Sequence, residues 1–150
     1  MNIGAGRVIP QDDVRLNAAM QDGSFYSNEV LLHSIARARE PGRALHLIGL
    51  LSEKSSHGSI EYPLAILRMA KQAGLERAYL HLIFDGRSTL PGSAPILLDD
   101  LEERIQEVGL GEIASAVGRG IALDRDGDYE KTRRAFEAFV SGTGRRIRAD

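Results

Sequence analysis

Four cationic side chains stand in three short polar segments of this sequence, namely His57, Arg87, Arg119 and Arg125. Arginine presents a planar fork of N–H donors that matches two oxygens of a phosphate, sulfate or carboxylate group. Histidine can gain or lose a proton near neutral pH. Three arginines and one histidine around one crevice could neutralise a doubly charged ester. We therefore predict a site for a small phosphate or sulfate ester.

Acid–base chemistry at such a site requires a group that can move a proton. The candidates are His57, Asp85 and Glu53, because each lies in one of these polar segments and each can act as a general base. Arginines could meanwhile stabilise a departing oxyanion, which would assist an elimination or a ring-closing displacement. The residues predicted to bind the substrate are Arg87, Ser88, Arg119 and Arg125.

Each polar segment follows a short apolar run of strand length. The runs cover residues 44–51, 77–84 and 112–117. Their nearly continuous apolar character is typical of parallel strands that are covered on both faces. In a parallel α/β sheet, ligands bind outside the carboxyl ends of the strands. The polar segments, of which the third is predicted to be a loop over residues 118–126, should therefore surround one crevice.

Amphipathic patterns predict helices before and between these strands. The alternation of strand and helix indicates βαβ units with right-handed crossovers. We predict an α/β fold: a mainly parallel sheet of βαβ units with helices on both faces, in a three-layer arrangement. Residues 1–144 would form a single domain and residues 145–150 a flexible basic tail. The predicted helices span residues 12–20, 28–39, 59–73, 93–108 and 129–140.

The overall composition narrows the class of partner. The formal net charge of -2 leaves no basic excess for a nucleic-acid backbone, so any anion binding must be local. No apolar run approaches the roughly 20 residues that would span a bilayer. Residues 1–7 lack the apolar region of a signal peptide. We expect a cytoplasmic protein that binds neither nucleic acid nor membrane.

The sequence gives little support for a metal or a cofactor. There is no cysteine, which excludes disulfides and thiolate ligands. Asp124, Asp126 and Asp128 imitate the start of a calcium loop, but a glycine comes too early and the terminal glutamate is missing. His46 and His81 lie inside predicted strands and are expected to be hydrogen-bonded structural residues. We predict no metal site and no cofactor.

Several motifs, taken in order along the chain, resemble those of the cofactor-independent phosphoglycerate mutases. The resemblance extends to about Gly144 and implies an inserted phosphotransferase domain that grips phosphoglycerate. The motifs are Asn2-Ile3-Gly4-Ala5-Gly6-Arg7, Leu45-His46-Leu47-Ile48-Gly49-Leu50-Leu51-Ser52, Phe84-Asp85-Gly86-Arg87, Gly118-Arg119 and Leu123-Asp124-Arg125-Asp126. The substrate-binding positions that the resemblance implies are His57, Arg87, Arg119 and Arg125.

The sequence also departs from that family's pattern. The family's serine nucleophile and its ligands for two metal ions, usually manganese, belong to segments that do not occur in these 150 residues. Ser88 stands where the family has an aspartate that contacts the glycerate hydroxyls and has been assigned a proton-transfer role. The resemblance therefore does not imply ordinary mutase chemistry by these residues alone.

Three functions remain open at this stage. The favoured one is an enzyme, a mutase-like lyase or transferase repurposed in a biosynthetic pathway to act on an anionic ester. The second is a non-catalytic binding or structural subunit that is completed by a second chain, as a homo- or hetero-oligomer. The third is a fragment of an authentic cofactor-independent phosphoglycerate mutase, an isomerase.

Overall fold

The structure is a computed structural model that describes residue 6 and residues 10–53 and 58–146. The described part contains six α-helices, three strands and one short 3₁₀ helix, at Ser24–Ser27. The strands are β1 (Leu45–Leu51), β2 (Ala78–Phe84) and β3 (Glu112–Gly118). The helices are α1 (Asp12–Asp22), α2 (Glu29–Ala38), α3 (Glu61–Gln72), α4 (Ala94–Val108), α5 (Arg119–Ala122) and α6 (Tyr129–Ser141).

The three strands form one parallel sheet in the order β1-β2-β3. Helix α3 connects β1 to β2 and helix α4 connects β2 to β3, so the chain contains two consecutive βαβ units. The predicted α/β class and parallel sheet are confirmed. The boundaries of all three strands and of the five predicted helices agree with the sequence patterns to within two residues at each end.

The main core lies on one face of this sheet, under helices α2, α3 and α4. Side chains alternate between the two faces of a strand, and on this face β2 contributes Ala78, Leu80 and Leu82, which are all buried. Leu64 of α3 and Leu101 of α4 pack against them and are completely inaccessible to solvent. This apolar burial is the principal stabilising term of the fold.

The opposite face is covered by α6, which packs against β3. The ring of Phe139 in α6 meets the ring of His81 in an edge-on arrangement, with 5.9 Å between centroids. Ile83 and Val117 are buried on this face. β1 lies farther from the helix, and Ile48 there is 61% exposed. The expectation that every strand is covered on both faces therefore holds for the central strand β2 but not for the edge strands. One helix does not span the second face as far as β1, and Ala114 and Ala116 of β3 are exposed.

A hydrogen-bonded chain of polar side chains crosses this second face. His46 Nδ1 lies 2.9 Å from His81 Nε2, and His81 Nδ1 lies 2.7 Å from Ser115 Oγ. One residue from each strand takes part, so the chain links all three strands. Both histidines are thus hydrogen-bonded structural residues, as predicted.

The third predicted loop is wrong in one respect. Residues 118–126 were expected to be a loop, but Arg119–Ala122 form a single helical turn, α5. Gly118 remains extended, and the turn is closed by a hydrogen bond from Leu123 N to Arg119 O at 2.9 Å. A four-residue turn carries no hydrophobic period that could reveal it in the sequence.

The chain was also searched for helices that could cross a membrane. In the described ranges, no helix is both long enough and apolar enough to do so. Of the predicted tail, residues 145 and 146 are exposed, and residues 147–150 lie outside the described part.

Candidate functional site

The carboxyl ends of the three strands bring three polar residues side by side. Leu51, Phe84 and Gly118 are aligned across the sheet by the strand register. The residues that follow them are Ser52, Asp85 and Arg119. Parallel pairing therefore places one polar group after each strand at the same edge, which is where ligands bind in this class of sheet.

Asp85 and Arg119 form a buried ion pair at this edge. Arg119 Nη1 donates a short hydrogen bond to Asp85 Oδ1, and the Asp85 side chain is 0% exposed. The other carboxylate oxygen, Oδ2, accepts a hydrogen bond from Ser88 N at 2.8 Å. The Arg119 side chain is still 23% exposed, so part of it reaches the surface at this edge. Asp85 thus joins the segment after β2 to the segment after β3.

These contacts determine the ionisation state of Asp85. Burial by itself raises the pKa of this carboxyl group. The hydrogen bonds from Ser88 and Arg119, together with the positive charge of Arg119, outweigh burial and hold the pKa below its ordinary value. Asp85 is therefore a carboxylate at neutral pH and a weak proton acceptor.

The turn after β2 projects two site residues into solvent. Gly86 has φ of 57°, a left-handed conformation that glycine adopts without strain. Gly86 N donates to Thr89 Oγ1 at 3.2 Å, which closes the turn together with the bond from Ser88 N to Asp85. Arg87 and Ser88 are both exposed at its tip. No partner for the Arg87 guanidinium occurs among the described side chains.

Arg125 lies in the segment after α5 and is exposed. The conformation of this segment is held by Asp124, whose side chain is 5% exposed. Asp124 accepts hydrogen bonds from the backbone N–H groups of Asp126 and Asp128 and from Lys131 Nζ. The acidic run that imitates a calcium loop is thus internally hydrogen-bonded, and it presents Arg125 to solvent.

The segment after β1 is described only at its two ends. Ser52 O accepts a hydrogen bond from Ile60 N at 2.9 Å, and Ser59 Oγ donates to Glu53 O at 2.8 Å. The carboxylate of Glu53 is exposed. His57 lies outside the described residues, so its predicted role stays a prediction.

Two residues of this edge were not singled out in the sequence. Thr89 supports the turn that carries Arg87, and Ser52 is fully buried with its Oγ lacking a hydrogen-bond partner among the described residues. The position of Ser52 directly after an apolar run could have indicated it, since Asp85 holds the same position after the second run.

A small cavity of about 100 Å³ opens beside Asp85. Its walls are Leu51 and Phe84 from the strand ends, Thr89 from the turn, and Leu97 from α4. A larger depression of about 390 Å³ lies between the carboxyl-terminal parts of α3 and α4 and contains no site residue. The first cavity is the one connected to the strand-end residues, and it offers apolar walls next to the charged pair.

Comparison with known proteins shows the family of this chain. Residues 16–150 match the family model described as BPG-independent PGAM N-terminus. The chain belongs to this family. The 2,3-bisphosphoglycerate-independent phosphoglycerate mutases of Moorella thermoacetica and Symbiobacterium thermophilum are 44% and 42% identical to it, each over 144 residues. Each alignment covers 96% of the chain and 28% of the relative.

A solved structure shares both the fold and the sequence pattern. The phosphoglycerate mutase of Leishmania mexicana, crystallised at low cobalt concentration, superposes with a TM-score of 0.86 at 31% identity. The match covers 95% of the present chain and 27% of that structure. The chain thus spans little more than a quarter of the length of the phosphoglycerate mutases it matches.

The described residues do not fit a metal centre. Within ranges 10–53 and 58–146, no three His, Cys, Asp or Glu side chains are grouped so that they could hold an ion. The one buried carboxylate at the strand ends, Asp85, is already committed to Arg119 and to Ser88 N.

Proposed function

We propose that this domain is the substrate-binding part of a phosphoglycerate mutase-type protein and holds a phosphate monoester at the carboxyl edge of its sheet. The observation that carries the proposal is the Asp85–Arg119 pair at that edge, with further arginines exposed on the two adjoining segments. The family membership supports phosphoglycerate as the first ligand to test.

The charge of the described groups suits a phosphate ester. The charges of Arg119 and Asp85 cancel, which leaves the positive charges of Arg87 and Arg125 for a ligand, opposed by the exposed carboxylate of Glu53. A phosphate monoester carries about -1.5 to -2 near neutral pH. Arg119 is held in place by Asp85, whereas Arg87 and Arg125 are free to close on a ligand. His57 would add a further donor if it lies where the family resemblance implies.

The chemistry that this site performs is a separate part of the proposal. Arginines that bind the phosphate would stabilise an oxyanion during transfer or departure of that group. The sequence identity of above 40% to phosphoglycerate mutases supports phosphoglycerate as the substrate. Repurposing for an elimination or ring closure in a biosynthetic pathway is the competing assignment, motivated by Ser88 and by the lack of the family's serine nucleophile and metal ligands in these 150 residues.

The proposal can be tested by isothermal titration calorimetry and by thermal unfolding. The ligands are 3-phosphoglycerate, inorganic phosphate and sulfate. We expect 3-phosphoglycerate to bind most tightly and to raise Tm, since a ligand at 100 times its Kd stabilises a fold by about 2.7 kcal/mol. Arg87→Ala and Arg125→Ala should each weaken binding about tenfold or more. Arg37→Ala, on the exposed surface of α2, is the matched control and should bind normally.

Equal or absent responses to the three anions would refute a phosphoglycerate site. Preference for sulfate over 3-phosphoglycerate would favour the biosynthetic assignment instead. Unchanged affinity in both arginine variants would show that the ligand binds elsewhere on the molecule.

We also propose that a second chain, or a further part of a mutase, covers the apolar surface that this domain exposes. Exposed apolar side chains support this, namely Ile48 on β1 and Phe136 and Val140 on α6, with 61%, 60% and 67% of their surface accessible. Phe136 and Val140 are four residues apart on α6 and so lie on the same side of that helix, and exposed apolar patches are typical of interaction sites. Light scattering after size exclusion should report self-association that Phe136→Glu abolishes. A monomer at all concentrations would exclude self-association and leave a different chain or a further part of a mutase as the covering element.

A further inference from the structure

We propose that Asp85 is a positioning residue. It holds the arginines of the site in place, acting through Arg119 rather than on the ligand itself. The inference rests on the proposed function for its ligand, but not for its geometry. The supporting observation is a single carboxylate whose two oxygens contact two different segments, the turn after β2 and the first residue of α5 after β3.

Burial makes Asp85 unsuited to touch a ligand directly. Its side chain is 0% exposed, and each oxygen already accepts a hydrogen bond from the protein. A dianionic ester would moreover be repelled by a carboxylate. The outward part of the site is supplied by Arg119, which is 23% exposed, and by the tip residues of the β2 turn.

The two oxygens have separate tasks. Oδ1 accepts from Arg119 Nη1 and so anchors one end of the guanidinium group, which restricts the directions in which its remaining N–H donors can point. Oδ2 holds Ser88 N and so shapes the turn that projects Arg87. A ligand then meets donors that are already oriented, and less conformational entropy is lost on binding.

Substitutions at position 85 can test the two hydrogen bonds of the carboxylate. Asparagine at position 85 has a single carbonyl oxygen, so it can satisfy either Ser88 N or Arg119 but not both in the present geometry. Glutamate keeps the charge but displaces it by one methylene group. Asp85→Asn therefore tests whether both carboxylate oxygens are needed, and Asp85→Glu tests whether their position matters.

The experiment is a double-mutant cycle on the Kd for 3-phosphoglycerate, measured by calorimetry at pH 7. Asp85→Asn should weaken binding about ten- to a hundredfold, and so should Arg119→Gln. If Asp85 acts through Arg119, the double variant should bind no more weakly than Arg119→Gln alone, apart from a smaller term from the β2 turn. Asp85→Glu should also lose affinity although the charge is conserved.

An ion pair that shares no hydrogen bond with Asp85 or Arg119 provides the control. Arg104 of α4 is 23% exposed, as Arg119 is, and it binds both oxygens of Glu61 at 2.6 and 2.7 Å. Arg104→Gln should lower stability without changing Kd by more than about twofold.

Several outcomes would overturn the inference. An unchanged Kd in folded Asp85→Asn would do so, and so would fully additive effects of the two substitutions. If Asp85→Asn does not fold, Asp85→Glu decides, and normal affinity in that variant refutes the need for exact carboxylate geometry.

A ligand-free measurement keeps this inference distinct from the proposed function. Low-temperature NMR of the Arg119 guanidinium should show slowly exchanging Nη protons in the wild type, and these should be lost in Asp85→Glu. If 3-phosphoglycerate does not bind but these resonances behave as stated, the proposed function fails and the positioning geometry stands. Freely rotating Nη groups in the wild type would overturn the positioning inference whatever the ligand does.

Discussion

His46 Nδ1 on β1 lies 2.9 Å from His81 Nε2 on β2, so only one of these two nitrogens can carry the hydrogen between them. His81 is 6% exposed, and its other nitrogen is bonded to Ser115 Oγ. Burial, reinforced by the neighbouring His46, lowers the pKa of His81 from its ordinary value of 6.5. Protonation of His81 should therefore make the stability of the fold depend on pH.

The free energy of unfolding should therefore fall on mild acidification. Because the folded pKa of His81 is lower than its unfolded value, the unfolded chain binds the proton first. The stabilisation is complete above about pH 6.5 and is lost as pH falls toward the folded pKa. The slope from this one group cannot exceed about 1.4 kcal/mol per pH unit. Urea unfolding between pH 5 and 8 measures it.

The control for this pH effect is a pair of glutamine variants. His81→Gln should flatten the slope, whereas His33→Gln, on the exposed surface of α2, should leave it unchanged. An identical slope in all three proteins would show that His81 is not the responsible group.

Gly111 should not tolerate a side chain. Its φ is 121°, and a Cβ atom there would lie 3.0 Å from Leu67 Cδ1 and 3.3 Å from both Ile105 Cγ2 and Leu80 Cδ1. Strain and overpacking combine, so Gly111→Ala should cost about 2–4 kcal/mol. The comparison variant is Gly127→Ala, with φ of 77° but nothing within 4 Å, which should cost about 1 kcal/mol. Equal losses in urea unfolding would contradict the packing argument.

Asn28 should be a stabilising cap of helix α2. Its side-chain oxygen accepts hydrogen bonds from Val30 N at 3.0 Å and from Leu31 N at 3.1 Å. Asn28→Ala should lower the free energy of unfolding by about 1 kcal/mol, and Asn28→Asp should retain most of it. Thermal unfolding followed by circular dichroism measures both. A loss of equal size in the two variants would mean that the cap bonds are not the cause.

The hydroxyl group of Ser52 should not stabilise the fold. The side chain is fully buried, and its Oγ has no hydrogen-bond partner in the described part of the chain. A buried polar group without a partner costs about 1–3 kcal/mol in desolvation, so Ser52→Ala should keep Tm or raise it. Ser59→Ala is the contrast, because it removes bonds to Glu53 O and from Glu61 N and should lower Tm. A fall in Tm for Ser52→Ala would reveal a bonded hydroxyl in solution.

Local patterns were sufficient for most of the fold. The apolar run at 77–84 and the glycine that follows α4 identify β2 and the end of that helix, because strand alternation and helix capping depend only on neighbouring residues. The βαβ order then implied parallel strands and placed Asp85 and Arg119 at one edge. Local patterns could not show the single turn at Arg119–Ala122 or the exposure of Ile48. A four-residue turn is too short to show a hydrophobic period, and the exposure of Ile48 depends on how far α6 extends across the sheet.

The sequence by itself determined the α/β class, the parallel strands and the edge at which the polar segments meet, since each follows from periodicity and chain order. Only the tertiary structure decided how the ionisable groups are paired. Asp85 is one of many carboxylates in the sequence, and its burial against Arg119 follows from the register of β2 and β3. A register is a relation between distant segments, and the same residues one position out of step would face opposite sides of the sheet.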